Sequence, residues 1–340
     1  MYALSAISAE NIAKEEFKMK YVENCRMSGG PEYDKTFWSV MKGNDVAEDK
    51  LSAGRTSDTG SYVLPSASDN KYEKAINARS VIRRIASIFT SYDKPANIWA
   101  ADCDDIAEFV APCGSINIRD VADDFTRIGV NSNKLVTLLR LPMEFVTDAT
   151  FDIESYLVKR LAKNFARAED KAFITGTGTN EPLGLLATRG GADVAFTADS
   201  ITFDDIYRLY FSIDAEYRRD GAWLMNDSTA LALRKLKDGE GNYLWNNADN
   251  TILGKPVLIS EYMPDIESSS KPIAFGDFSY YWIVKRSPVS VKMLKELFAL
   301  RDQTGYMAFE FIDGKLVRND AVQVIQMNTE EPEDLTEAAH

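Results

Sequence analysis

Apolar residues recur at spacings of three and four over 152–175, where Ile153, Leu157, Leu161, Phe165, Ala168 and Ala172 form a stripe that Tyr156, Val158, Ala162 and Ala166 widen. This period predicts one long amphipathic helix. Thr150 or Asp152 can cap it, and Asp152 and Glu154 sit where a helix N-terminus favours negative charge. At about 1.5 Å per residue the helix would be roughly 36 Å long, a strut as wide as a domain. Lys159, Lys163, Arg167 and Lys171 follow one another four apart along another side. Like charges at that spacing repel, so the stripe belongs beside solvent or a partner's carboxylates. Gly176 is expected to take the left-handed conformation after the last turn, with Gly178, Asn180 and Pro182 keeping the chain turning.

The rest of the chain alternates both periods. Residues 60–65 read as a short strand, and 72–89 as a second amphipathic helix through Ala75, Ile76, Val81, Ile82, Ile85 and Ile88. Over 92–146, β-like runs alternate with turn residues, which predicts a long hairpin with an acidic tip near 112–126. On its return leg Leu135, Thr137, Leu139 and Leu141 point one way and Val136, Leu138 and Arg140 the other. A two-stranded ribbon apolar on both faces needs cover from its own chain or a neighbour's. Residues 188–198 read as a glycine-bearing loop. Thr202, with Asp205 three positions on, predicts a capped helix whose buried stripe is Ile206, Leu209, Tyr210, Ile213 and Tyr217. A strand over 222–226, a helix from Asp227 or Ser228 through Leu236 and a strand over 255–263 follow. Residues 306–327 read as a hairpin about Asp313-Gly314. At the start, 1–60 carries two short helical stretches, 10–21 and 33–42, joined by Gly- and Ser-rich connections. That segment is either a disordered terminus or an arm that wraps a neighbouring subunit, with Trp38 as an exposed aromatic contact. Residues 329–340 hold five acids and no Lys or Arg, the pattern of a disordered tail.

Composition narrows the chemistry. With 340 residues, 45% of them hydrophobic, and only 19 Gly and 11 Pro, the chain is globular and long enough for about two domains. It has neither a long apolar run nor a basic segment leading an apolar one, so the expectation is synthesis in the cytoplasm without a membrane span or secretory signal. Cys25, Cys103 and Cys113 are odd in number and lack CxxC spacing, which marks them as reduced and incidental. The only histidine is His340, which removes internal Ser-His-Asp and Cys-His arrangements and any histidine-ligated metal. A net charge of −13 disfavours direct nucleic-acid binding but not enclosure, since an acidic lining keeps a packed polyanion from adhering. The glycines of 176–184 close a helix rather than open one, and Glu181 stands where a dinucleotide fingerprint needs its third glycine, so they form no phosphate cradle. Asp102, Asp104, Asp105, Glu108, Asp123 and Asp124 are the best enzyme-like cluster. Their spacing matches no EF-hand, and a solvated face or contacts to another subunit's arginines is the plainer reading. No catalytic residue, metal or cofactor is assigned.

Five stretches in order, 166–186, 223–245, 253–264, 273–286 and 316–324, resemble the HK97-type major capsid protein of tailed double-stranded DNA bacteriophages, within a span from about 60 to 327. The resemblance implies an α+β HK97-like capsid fold. In it 1–60 is the N-terminal arm, 61–91 the start of the peripheral domain and 92–139 the extended β-hairpin E-loop. Residues 140–199 continue the peripheral domain with its spine helix 152–175, 200–302 form the axial domain, 303–328 the returning hairpin and 329–340 the acidic tail. It also implies a structural rather than enzymatic role. Pentamers and hexamers would close an icosahedral shell around double-stranded DNA, assembled in the host cytoplasm and retained in the virion, with portal, scaffold and decoration proteins as partners and no membrane. The E-loop would be covered by an adjacent subunit, with Arg119, Asp120, Asp123, Asp124 and Arg127 setting register by charge. Trp38 and the basic stripe would join the same interfaces. Two departures from the family stand out. Residues 96–133 contain no lysine, so the Lys-Asn isopeptide weld of some members is not expected. Residues 1–60 are too short and interrupted for the family's scaffolding segment, which implies a separate scaffold or a longer precursor. An encapsulin-like compartment, and a metal-dependent hydrolase built on the acid cluster, are the alternatives.

Overall fold

The computed structural model of the chain describes residues 30–44, 51, 55–56, 61–90, 96–101, 125–148, 150–237, 243, 245 and 250–328. The helices are α1 (Pro31–Met41), α2 (Ser66–Asn77), α3 (Met143–Thr147), α4 (Ile153–Thr175), α5 (Phe203–Ser212), α6 (Ala215–Arg219) and α7 (Asp227–Arg234). The strands are β1 (Arg55–Thr56), β2 (Ser61–Val63), β3 (Ser87–Thr90), β4 (Ala96–Ala101), β5 (Phe125–Val130), β6 (Asn133–Pro142), β7 (Asp193–Ala198), β8 (Ala222–Met225), β9 (Thr251–Ile252), β10 (Lys255–Ile259), β11 (Ile273–Gly276), β12 (Tyr281–Lys285), β13 (Ser290–Leu294), β14 (Gln303–Leu316) and β15 (Val322–Met327).

Two sheets carry the body. In the first, β14 is the axis: β13 and β12 pair with successive halves of one side of it, and β6 pairs along the other. Strands β2 and β1 extend that sheet beyond β13, and β3 lies parallel to β12. The second sheet has the order β7-β15-β11-β8-β10-β9. The helix expected over 152–175 runs Ile153–Thr175, and Asp152 caps it by accepting from the Ser155 N–H at 3.1 Å. Its first turns bury Leu157, Leu161 and Phe165 against α1, α2 and the first sheet, whereas Phe173 and Ile174 near its end join a core that includes Ile283 and Ile312 from the first sheet and Leu224 and Val324 from the second. Each such side chain contributes about 1.5–3 kcal/mol by leaving water. One rigid helix therefore ties both sheets. The expected Thr202 cap is a full capping box with Asp205, and Ile206, Leu209, Ile213 and Tyr217 are buried.

The end of α4 differs from expectation. Gly176 has φ −62°, so it is not left-handed; Gly178 and Asn180 take positive φ instead. Gly176 is required by close approach, because a Cβ there would lie 2.2 Å from the Pro182 carbonyl oxygen and 2.3 Å from that of Ala172. The loop folds back so that Leu185 N–H donates to the Phe173 carbonyl at 2.7 Å and Leu186 N–H to that of Ile174 at 2.9 Å. Carbonyls that a helix end leaves orphaned are thereby paired. Gly176→Ala is expected to cost about 1–3 kcal/mol, since both opposing atoms are backbone. Urea unfolding of the variant measures this, and a midpoint equal to wild type would contradict the packing account.

Four further expectations are corrected. The segment 72–89 is not one helix: α2 ends at Asn77, a 3-10 turn spans Ile82–Arg84, and β3 follows. The cause is tertiary, for the Asp170 carboxylate draws in Ser80 Oγ at 2.5 Å and the N–H groups of Val81 and Ile82 at 3.0 and 3.3 Å. The ribbon is β4 with β5 alone, and its supposed return leg, β6, pairs with β14 instead. Leu139 and Leu141 are buried by that pairing while Val136 and Leu138 stay 46% exposed, so among the described residues only one face of β6 is well covered. No hairpin forms at Asp313-Gly314, where β14 runs straight through and β15 departs to the second sheet. Asp313 accepts from Asn131 N–H at 2.6 Å and Asn133 Nδ2 at 3.0 Å, and a Cβ on Gly314 would meet the Tyr281 hydroxyl at 2.6 Å. The loop expected over 188–198 contains β7, which runs parallel to β15.

Candidate functional site

The basic stripe lies on the surface of α4. Lys159, Arg167 and Lys171 are exposed and Lys163 is half-buried. Lys163 and Arg167, one turn apart, line a cleft of about 360 Å³ between α4 and the segment after β10, together with Arg79, Val81, Ala166, Asp170, Ile259, Ser260, Glu261 and Tyr262. Its position follows from the corrected chain path. Because α2 stops at Asn77 and Asp170 fixes residues 80–82, Arg79 is brought beside the stripe. Burial pushes the Tyr262 hydroxyl up to about 12, reinforced by its hydrogen bond to Glu261 and opposed by the nearby charge of Arg167. None of the ion pairs between described residues involves Arg79, Lys163 or Arg167.

Beneath the stripe, the opposite face of α4 holds a buried ionic cluster that the sequence reading missed. The Arg83 guanidinium forks onto Glu169, with Nε to Oε2 at 2.6 Å and a terminal nitrogen to Oε1 at 2.9 Å, and reaches Glu73 at 3.3 Å. Lys285 also pairs with Glu73. Tyr72 donates to Glu310 Oε1 at 3.2 Å, while Glu310 Oε2 is buried without a hydrogen-bond partner among the described residues. Burial drives the Glu169 carboxyl well above the usual range; Arg83 opposes that shift and neighbouring Glu310 adds to it. Burial likewise raises Asp69, with Lys285 opposing and Glu310 adding. The cluster joins α2, α4, β12 and β14, so it braces the helix that carries the stripe. A signal was available: Glu169 and Asp170 stand four residues after Phe165 and Ala166, on the buried stripe and not on a solvent face.

The remaining candidate residues divide. Trp38 is not an exposed anchor; it is half-buried, donates from Nε1 to Ser68 Oγ at 3.2 Å, and packs edge-on to Phe37 with ring centroids 5.0 Å apart. Tyr33, Phe37 and Met41 bury the inner face of α1 against the first core, so this part of 1–60 docks on its own chain. Arg127 lies on β5 opposite Trp99. Arg119, Asp120, Asp123, Asp124 and the other acids of the enzyme-like cluster lie outside the described residues, as do 1–29 and 329–340. Among the turn residues, Gly178 N–H donates to the Pro182 carbonyl at 3.3 Å, and Thr177 and Leu183 form an isolated bridge that closes the loop. These contacts hold the turn in place from within the chain. No helix among the described residues is long and apolar enough to cross a membrane.

Comparison with known proteins gives one consistent picture. Residues 60–327 match the model of the phage capsid family. A curated relative, the major capsid protein of Klebsiella oxytoca phage phiKO2, is 24% identical over 187 residues, which take in 51% of this chain and 44% of that protein's length. The capsid of an empty GTA particle is 27% identical with a TM-score of 0.63, covering 74% of this chain and 90% of that one. The capsid of a native GTA particle is 26% identical with a TM-score of 0.60, covering 84% and 100%. A chain from Gordonia phage Cozz, at 12% identity, a TM-score of 0.52 and coverage of 74% and 87%, shares the fold alone. The α+β architecture is the HK97-like capsid fold.

Proposed function

The chain belongs to the phage capsid family, and from that premise we propose that it is a major capsid protein whose copies build a closed icosahedral shell of pentamers and hexamers around double-stranded DNA. The observation that carries this reading is the family match over 60–327, which takes in the second sheet, the first sheet from β2 onward and the helix that ties them. Structural similarity to two assembled GTA capsids supports self-association as the activity. The role is mechanical. A modest gain at each interface is multiplied over many copies, so a closed shell is stable while single contacts stay reversible during assembly. In this reading α4 is the spine of a peripheral domain, 200–302 form the axial domain, and the ribbon β4–β5 belongs to an E-loop laid on a neighbour. Arg119, Asp120, Asp123, Asp124 and Arg127 set its register, and the open face of β6 with Val136 and Leu138 supplies apolar surface for such a contact. The chain has no enzymatic role, assembles in the host cytoplasm with scaffold, portal and decoration proteins, and resides in the virion.

Negative-stain microscopy of the purified chain tests the proposal. Uniform shells or capsomer rings are expected, and a protein that stays monomeric at all concentrations would refute it. On a boiled denaturing gel the particles are expected to run as a single monomer band, because 96–133 has no lysine to form an isopeptide. A ladder of multimers would show that a lysine elsewhere supplies the weld.

A further inference from the structure

We propose that the cleft between α4 and the Ser260–Tyr262 segment is a receptor for carboxylate side chains of a second copy of this chain, gripped by Arg79, Lys163 and Arg167. This rests on the shell reading and names a contact within it. Three cations converge on the cleft, Lys163 and Arg167 from α4 and Arg79 from beyond the end of α2. Two acids, Asp170 and Glu261, share the cleft with them. Asp170 accepts from Ser80 Oγ, Val81 N–H and Ile82 N–H, and Glu261 lies beside Tyr262 at the cleft wall. Three cations against two carboxylates leave the cleft with an excess of positive charge, which a partner's negative charge offsets on association.

The occupant follows from size and charge. A cleft of about 360 Å³ admits a small group or a few side chains and excludes a duplex. Each copy carries 52 Asp and Glu against 39 Lys and Arg, so the surface every copy presents is rich in carboxylates. Arginine suits the task, because its planar fork binds a carboxylate through two parallel hydrogen bonds. Ile259, 42% exposed at the rim, offers apolar surface to the aliphatic part of an incoming glutamate. The site also spans the join between the two sheets: α4 and Arg79 border the first, and Ile259 closes β10 of the second. A carboxylate seated there braces one sheet against the other as the subunit enters the shell.

The test is the double reversal Arg79→Glu/Arg167→Glu in the full chain, read by thermal unfolding of the unassembled protein and by particle yield in sedimentation. Both residues are exposed. The variant is expected to melt as wild type does while shell yield falls about tenfold or more, as like charges set against each other oppose docking. Wild-type yield is expected to drop as salt is raised from about 0.05 M to about 0.5 M, where screening shortens the reach of these charges. If the reversal compromises folding, Arg79→Gln/Arg167→Gln replaces it: reduced yield supports the receptor and unchanged yield overturns it. Folded reversal variants that assemble at wild-type level overturn this proposal alone and leave the shell reading intact. Normal particle numbers with less DNA per particle overturn it in favour of a phosphate contact. Failure of wild type to form shells under any condition overturns both.

Discussion

Replacing Arg83 with methionine is expected to cost about 3–5 kcal/mol of unfolding free energy, because it strands Glu169 as a buried carboxyl without its cation. Arg83 is 4% exposed, Glu169 2% and Glu310 0%, so water cannot take over the pairing. The loss would exceed that of the surface pairs among the described residues, such as Lys71 with Glu154, which is worth at most about 1 kcal/mol. A second substitution tells pairing from packing. Arg83→Met/Glu169→Leu removes charge and counter-charge together and is expected to recover most of the loss, since a buried pair contributes little over apolar groups of the same volume. Urea unfolding of both variants reads this directly. A loss under about 1 kcal/mol for the single variant would mean that the cluster does not hold the helix.

The same cluster sets a pH dependence opposite to that of an ordinary carboxylate. Glu169 is raised above its usual value by burial and by Glu310 against the pull of Arg83, so the folded state releases its proton at a higher pH than the unfolded state does. Stability from that proton is complete below the unfolded value near 4.5 and is lost as pH rises through the raised folded value. Asp69, Glu73, Arg83, Lys285 and Tyr72 face the pair and remain fixed in the comparison with Glu310→Gln. That variant removes the like charge, and its advantage over wild type is expected to grow as pH rises above the unfolded value near 4.5. Parallel stability curves would refute the coupling.

Trp223→Ala is the other large effect, about 3–5 kcal/mol. Trp223 is fully buried at the centre of β8, stacked on Phe275 with centroids 4.2 Å apart, and donates from Nε1 to the Ile252 carbonyl at 3.0 Å. Truncation opens a cavity between the second sheet and its helices and also removes the indole N–H that donates to that carbonyl. Trp223→Phe keeps a ring on Phe275 and loses mainly the hydrogen bond, so about 1–2 kcal/mol is expected. Equal losses for the two variants would show that the hydrogen bond, not the packing, carries the effect.

Local patterns were legible in the sequence where one period persisted. The apolar stripe of α4, its Asp152 cap, the Thr202–Asp205 capping box and the buried strand β8 depend on residues a few positions apart. The order of five short blocks was legible as well, and it led to the family that the match over 60–327 shows. Other readings went wrong where a distant residue decided the outcome. Asp170 ends α2 through Ser80, although the apolar period runs on through Ile82 and Ile85. Tyr281 and Phe173 press on Gly314, so a dipeptide that favours turns is a point of close packing within a strand. Gly176 is a glycine for the same reason: its φ suits any residue, and the space beside it suits none.

The candidate site divides in the same way. Four basic residues at helical spacing were plain from the sequence, since charge and period are local properties. That two of them share a cleft with Arg79 depends on the turn after α2, and that turn is made by an acid from α4 itself. Trp38 was misjudged because composition records an aromatic but not the Ser68 and Phe37 that receive it. By itself the sequence determined the helix, its charged face, the alternation of strands and the family, all of which follow from short-range periodicity and block order. Only the tertiary structure decided which strand pairs with β14, why two glycines have no room for a methyl group, and where the buried acids meet Arg83. Each of these is a contact between residues far apart in the chain, whose energy comes from burial and close approach rather than from any local preference.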